Sequence, residues 1–272
     1  MGSIVFALIV LAVIFGPYLH TVDPQFLDLR ARDAAPSLTH PLGTDNLGRD
    51  VLAQVLEGGR ISMAVGVTAM LLSLVFSTFV GVVSGYFRLL DGPLMRLTDL
   101  FLALPILPLL LVIIMLFRDT LRAVFGPETG IFMLIVFIIG LTSWMQTARI
   151  VRGDVLAVKE REFVVAATSI GTPARRIIGR HVLPNVMSPI MVSATLGIAN
   201  AIITESALSF LGLGFPPDFP TWGRLLYDGK DFMMLTPARV IWPGLAISLT
   251  VLSVNFIGDG LRDALDPRIR GR

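Results

Sequence analysis

The stretch ISMAVGVTAMLLSLVFSTFVGVVSGYF, residues Ile61–Phe87, runs for 27 positions without one charged side chain. About 20 mostly apolar residues carry a helix across the hydrocarbon layer of a bilayer. Inside that layer each backbone N–H and C=O needs a partner, and a helix supplies all of them from its own segment. The stretch therefore reads as a membrane-spanning helix. Gly66, Ser73, Ser77, Gly81 and Gly85 recur along it at spacings of four and seven. Such a stripe lets a neighbouring backbone come close, and its ordinary meaning is helix packing.

Five further stretches qualify: Ile4–Leu19, Leu94–Phe117, Ile131–Ile150, Val186–Leu211 and Arg239–Gly258. Only Met1, Gly2 and Ser3 precede the first. It lacks the basic flank and small-residue cleavage site of a signal peptide, so it counts as a span. The third carries Pro105 and Pro108 and is expected to kink. Composition agrees. Of 272 residues, 54% are hydrophobic and 15% charged, and mean hydropathy is +0.78. Soluble domains carry about 25% charged residues. With no cysteine, disulfides, thiolate nucleophiles and Cys-ligated metals are excluded. The net charge of +2 implies no nucleic-acid surface. The fold class is thus an all-α integral membrane protein with six transmembrane helices.

Orientation follows from the Lys/Arg bias. With the N-terminus inside, 13 of the 22 basic residues fall on inner segments and 9 on outer ones. The organisation is then a first span (1–20), an extracytoplasmic segment (21–60), a core of five spans (61–258) and a cytoplasmic tail (259–272). Both termini lie inside. A cytoplasmic loop at 153–185 interrupts the core.

That loop is too polar to span. Glu160–Ile170 reads as a short amphipathic helix with Phe163, Ala166, Ala167 and Ile170 on one face. Gly171 is placed to end it in a left-handed conformation. Thr172-Pro173 would start a second helix, Ala174–Val182, which Leu183-Pro184-Asn185 breaks. Small residues with a rim of Arg and Glu suit a partner's groove; an interfacial helix lying on lipid is the plainer alternative.

Ala166-Ala167, Gly171 and His181-Val182-Leu183-Pro184 stand at the spacing E-A-A-x3-G-x9-I-x-L-P. This resembles the EAA loop of ABC-importer permeases, departing from it at Val165 and His181. Other blocks extend the likeness: His40-Pro41-Leu42-Gly43-Thr44-Asp45, Glu205 to Gly214, Pro220-Thr221-Trp222-Gly223, and Asn255 to Arg268. In this order they resemble the C-type inner-membrane permease of dipeptide, oligopeptide and nickel ABC importers.

The resemblance implies the type I ABC importer permease fold and half of a heterodimeric pore in a bacterial or archaeal cytoplasmic membrane. The implied partners are a homologous B-type permease, two ABC ATPase subunits that bind ATP and Mg, and an extracytoplasmic solute-binding protein, all around a lipid bilayer. The chain itself would bind no cofactor and have no catalytic residue. It holds no G-x4-G-K-[ST] stretch, so hydrolysis would fall to the ATPases. ATPase coupling is implied for Arg161, Glu162, Phe163, Ala166, Ala167, Gly171, Arg175, Arg176 and Pro184. Peptides are the implied substrate, with nickel, haem, glutathione or another small solute as alternatives.

Several residues stand out beside these. Glu205 is an intramembrane acid, which marks a functional site by default. With Ser206 and Ser209 it is expected on the translocation path; a structural hydrogen bond is the alternative. Asp99 is expected to pair with Arg96 three positions earlier. Asp259, Arg262, Asp263 and Asp266 would lock the tail against the loop. His20, His40 and His181 sit in separate segments, so no metal site is expected. Trp144, Trp222 and Trp242 lie near span ends, as interface anchors do. A stand-alone secondary transporter is disfavoured, because the intramembrane acids and broken repeat pairs of that class are missing.

Overall fold

The computed structural model describes residues 1–265. Asp50 starts the longest helix. Its carboxylate accepts from the Ala53 N–H at 2.7 Å, satisfying one of the free donors of a helix N-terminus. Helix α1 (Gly2–Leu19) precedes it, and α2 is Val51–Tyr86. At 1.5 Å per residue the 36 residues of α2 reach about 54 Å. That exceeds a hydrocarbon layer of about 30 Å. The polar first turns with Gln54, Glu57 and Arg60 therefore extend α2 ten residues before Ile61.

The third expected span is not one helix. Helices α3 (Arg88–Ala103) and α4 (Ile106–Phe125) meet at 87°. Leu104 is extended, with φ −76° and ψ 139°, because the ring of Pro105 disfavours helical geometry in the residue before it. Among the described residues, five helices are each long and apolar enough to cross a membrane, and the count is six if this bent pair is one span.

Helix α5 (Pro127–Lys159) runs nine residues past Ile150 into the expected loop. Then come α6 (Glu162–Ser169), α7 (Ala174–Ile177), a π turn (Ile178–Val182) and α8 (Leu183–Asn185). Helices α9 (Met187–Phe210), α10 (Trp222–Gly229) and α11 (Ala238–Leu265) complete the order. Helix α11 continues beyond Gly258 and carries Asp259, Arg262 and Asp263. Asp266 and the remaining tail lie outside the described residues.

The centre of the bundle is α2 lying along α5. A Cβ on Gly81 would sit 2.7 Å from the Val151 Cβ, and one on Gly85 2.8 Å from the Val155 Cβ. The small-residue stripe is thus the seam between these helices, while Gly66 faces Ile202 of α9. One apolar cluster joins α2, α4, α5 and α9 around Val65, Ile114, Ile135 and Ala201. A second sits under the α6 region. Leu71, Val75 and Phe79 of α2, and Leu249, Leu252 and Phe256 of α11, are exposed. An apolar surface of this kind belongs against lipid or another subunit.

Two of the three tryptophans are core residues instead of interface anchors. Trp144 packs edge-on against Phe101 at 6.4 Å. Trp222 is 1% exposed, and its indole N–H donates to the Val55 carbonyl at 2.9 Å. Trp242 remains open to the surroundings.

Candidate functional site

At the α6 end, the helix stops as Gly171 requires. Gly171 takes φ +77°, a conformation that glycine adopts without a Cβ clash. Its N–H bonds the Thr168 carbonyl at 3.0 Å and the Thr172 N–H bonds the Ala167 carbonyl at 3.1 Å. These two bonds make a Schellman cap.

The structure turns Val164 and Ala167 inward, against Val151 and Val155 of α5 and Ile177 and Val182. Phe163, Ala166 and Ile170 point outward, although the sequence placed Ala167 with them on one face. The valine pair on α5 decides this, because it forms the seat on which eight residues of helix must rest. Ile170 is 82% exposed. The Phe163 ring lies 6.1 Å from that of His181. Arg161 and Glu162 at the start of α6, and Arg175 and Arg176 on α7, are all exposed. Among the described residues none of the four forms an ion pair.

Pro173, with φ −66° and ψ 144°, precedes the next helical turn, one position later than the sequence suggests. The helical path ends at Asn185, where Val186 with φ −101° and ψ 4° separates α8 from α9, and Pro184 acts one turn earlier as well. It lacks an N–H, so the regular i to i−4 ladder fails there, and the chain widens: the Leu183 N–H reaches the Ile178 carbonyl five residues back. Asn185 Nδ2 donates to the His181 carbonyl at 2.7 Å. The α6 region is tied to its neighbours by polar contacts as well. Arg152 of α5 grips Asp91 of α3, with Nη2 2.7 Å from Oδ2. Lys159 Nζ donates to the Tyr86 carbonyl at 2.8 Å. Asp99 pairs with Arg149, fifty positions away, and not with Arg96.

At the α10 end, Glu205 is buried at 0% exposure, with Ser206 at 6% and Ser209 at 0%. These three do not open onto a path within this chain. Ser62 Oγ of α2 donates to Glu205 Oε2 at 3.0 Å, and Ser209 Oγ donates to Oε1 at 2.7 Å. The alternative reading, a structural hydrogen bond, describes this arrangement.

Asp50 holds the segment before α2. His20 Nε2 lies 3.0 Å from Oδ1 and His40 Nδ1 2.8 Å from Oδ2. Two of the three histidines are thus neighbours, which the sequence reading missed. The signal was an Asp before Val51-Leu52-Ala53, a helix cap whose other oxygen sites needed donors. Arg239, 6% exposed, reaches Asp33 and Asn46 at 3.2 Å, strapping the same segment to α11.

The chain is similar to known proteins over its whole length. Residues 73–271 match the model of a family described as binding-protein-dependent transport system inner membrane component. A putative peptide transport system permease protein of Brucella suis is 37% identical, covering 99% of this chain and 88% of that one. The oligopeptide transport system permease protein OppC of Bacillus subtilis is 38% identical, covering 99% and 85%. The dipeptide transport system permease protein DppC of Alkalihalophilus pseudofirmus is 37% identical, covering 99% and 86%. Among solved structures, an inward-facing MetNI methionine ABC transporter matches with a TM-score of 0.62 at 15% identity. That match covers 78% of this chain and 96% of the other; it establishes the fold.

Proposed function

The chain belongs to the family of binding-protein-dependent transport system inner membrane components, and from that premise we propose that it forms half of a peptide importer's pore. It is a multi-pass permease subunit of an ABC importer in a bacterial inner membrane. The second half is a homologous B-type permease. Two cytoplasmic ATPases supply ATP hydrolysis, and an extracytoplasmic binding protein delivers the peptide. The termini and the α6 end face the cytoplasm, and the α10 end faces out.

The single observation behind this reading is the outward patch of Phe163, Ala166 and Ile170, with the exposed Arg161, Glu162, Arg175 and Arg176 on the same two short helices and without ion pairs among the described residues. An ATPase cleft that closed on this patch would push α6 against α5 through Val164 and Ala167. Gly171 fixes the exit angle of α6, and the turn before Pro184 carries the push into α9. ATP binding and hydrolysis would then shift the pore between two access states.

The chain has no cysteine, so Ala166→Cys introduces a single thiol. In the assembled importer, a short bifunctional crosslinker at this thiol should capture an ATPase subunit, and ATP should change the yield. Crosslinking only to lipid or to the other permease overturns the coupling assignment. Uptake of labelled di- and tripeptides into proteoliposomes tests the substrate; uptake restricted to nickel or haem overturns the peptide reading.

A further inference from the structure

The polar contacts around Glu205 have a direction. The Trp222 N–H donates to Ser62 Oγ at 3.2 Å, and Ser62 donates to Glu205 Oε2 at 3.0 Å. The Arg224 N–H donates to Thr221 Oγ1 at 3.1 Å. Thr221 donates to Ser209 Oγ at 3.3 Å, and Ser209 donates to Oε1 at 2.7 Å. Two donor relays thus begin at the first-turn amides of α10 and end on the two oxygens of one carboxylate. Helix N-terminal amides carry partial positive charge and favour an anion. Here the hydroxyls extend that stabilisation to an acid with no ion-pair partner among the described residues.

Helix α10 has little room to slide. A Cβ on Gly223 would lie 2.5 Å from the Ser206 Cα. One on Gly58 would lie 2.9 Å from the Pro220 carbonyl oxygen, and one on Gly59 2.8 Å from the Trp222 ring. Helix α9 begins next to the α6 region, where Val186 and Ile190 join its apolar cluster. It ends at Phe210, one turn past Glu205. A single helix therefore joins the patch assigned to the ATPase with the joint beneath α10.

We propose that Glu205 is a positioning residue for transport: through its two hydroxyl relays, movement of α9 against α2 becomes movement of α10 at the outer end of the pore. This rests on the importer reading above. The joint needs an acceptor on both sides. In Glu205→Gln an NH2 group replaces one oxygen and meets a hydroxyl that already receives a donor, so one relay loses its direction.

The test uses the complete importer in proteoliposomes, with labelled di- and tripeptides as probe and uptake per ATP hydrolysed as readout. Glu205→Gln should lower this ratio tenfold or more, while ATPase activity without binding protein stays within about twofold of wild type. Glu205→Asp, which keeps a carboxyl group with two oxygens, should recover part of the ratio. If the ratio of Glu205→Gln stays within twofold of wild type, the proposal is overturned. It is equally overturned if complex yield and both activities fall in parallel at constant ratio, as a purely structural role requires. If Glu205→Gln does not assemble, Thr221→Ser, which keeps the hydroxyl and the cap of α10, should leave the ratio within twofold of wild type while Thr221→Val, which removes one relay and leaves the carboxyl group in place, should lower it about threefold; equal ratios in the two variants overturn the proposal. A wild-type complex that hydrolyses ATP with no uptake overturns the importer reading itself.

Discussion

Arg152 of α5 and Asp91 of α3 form a two-pronged ion pair at the α6 end of the bundle. Nη2 lies 2.7 Å from Oδ2, and Nε bonds Oδ1 as well. The paired geometry is the stronger kind of charged hydrogen bond, but both side chains are partly exposed. Asp91→Ala should therefore lower the stability of the assembled complex by about 1 kcal/mol. Exchanging the charges, with Asp91→Arg and Arg152→Asp together, should restore part of it. Thermal melting of the purified complex checks both, and an exchange variant less stable than either single change counts against a direct pair.

Two glycines with opposite surroundings make a second prediction. Gly81→Val drives a side chain into Ala148 and Val151 of α5, where a Cβ already meets atoms at 2.7 Å. Overpacking of this kind costs about 1–3 kcal/mol or more, so the complex should assemble poorly. Among the described residues, Gly153 of α5 has nothing within 4 Å of a Cβ position. Gly153→Ala should stabilise by about 0.5–1 kcal/mol through helix propensity alone. The same melting assay reads both; equal effects would contradict the α2–α5 seam.

At Gly171 the constraint is conformational, since no atom lies within 4 Å of its Cβ position. A side chain there costs roughly 1–2 kcal/mol at positive φ, least for Asn. Gly171→Asn should transport near the wild-type rate. Gly171→Val should lose most uptake while the ATPases still bind ATP, as nucleotide binding beside peptide uptake would register. Normal transport by the valine variant removes Gly171 from the coupling element.

Asp50 serves two purposes that substitutions can separate. Asn still caps a helix, so Asp50→Asn should retain the bond to Ala53 and lose the charge and one acceptor oxygen between His20 and His40. Asp50→Ala loses the cap too, which costs about 1 kcal/mol. The expected order of melting temperature is wild type, then Asn, then Ala. An Ala variant as stable as the Asn variant would show that the cap contributes nothing.

Local chemistry was legible in the sequence. The uncharged run Ile61–Phe87, the glycine stop at 171 and the small-residue stripe of α2 each follow from neighbours a few positions apart. Their structures agree with that reading. Failures came where another rule acted nearby. The rings of Pro105 and Pro184 are both local signals, yet one broke a span at 87° and the other widened a turn. The residue before each ring differs: Leu104 is extended, whereas Leu183 stays helical.

What lay beyond the sequence was choice among partners distant along the chain. Spacing put Phe163, Ala166, Ala167 and Ile170 of α6 on one face, and the valines of α5 took Val164 and Ala167 instead. Asp99 had Arg96 at hand and took Arg149. Glu205 was visible as an intramembrane acid, but its partner Ser62 stands 143 positions earlier. By itself the sequence determined that the chain spans a membrane, roughly which stretches cross it and which loop interrupts them, because hydrophobic length and backbone satisfaction are local demands. Only the tertiary structure decided which face of α6 stays open and where the carboxylate of Glu205 points. Those outcomes depend on the close approach of α2, α5 and α9, which no periodicity records.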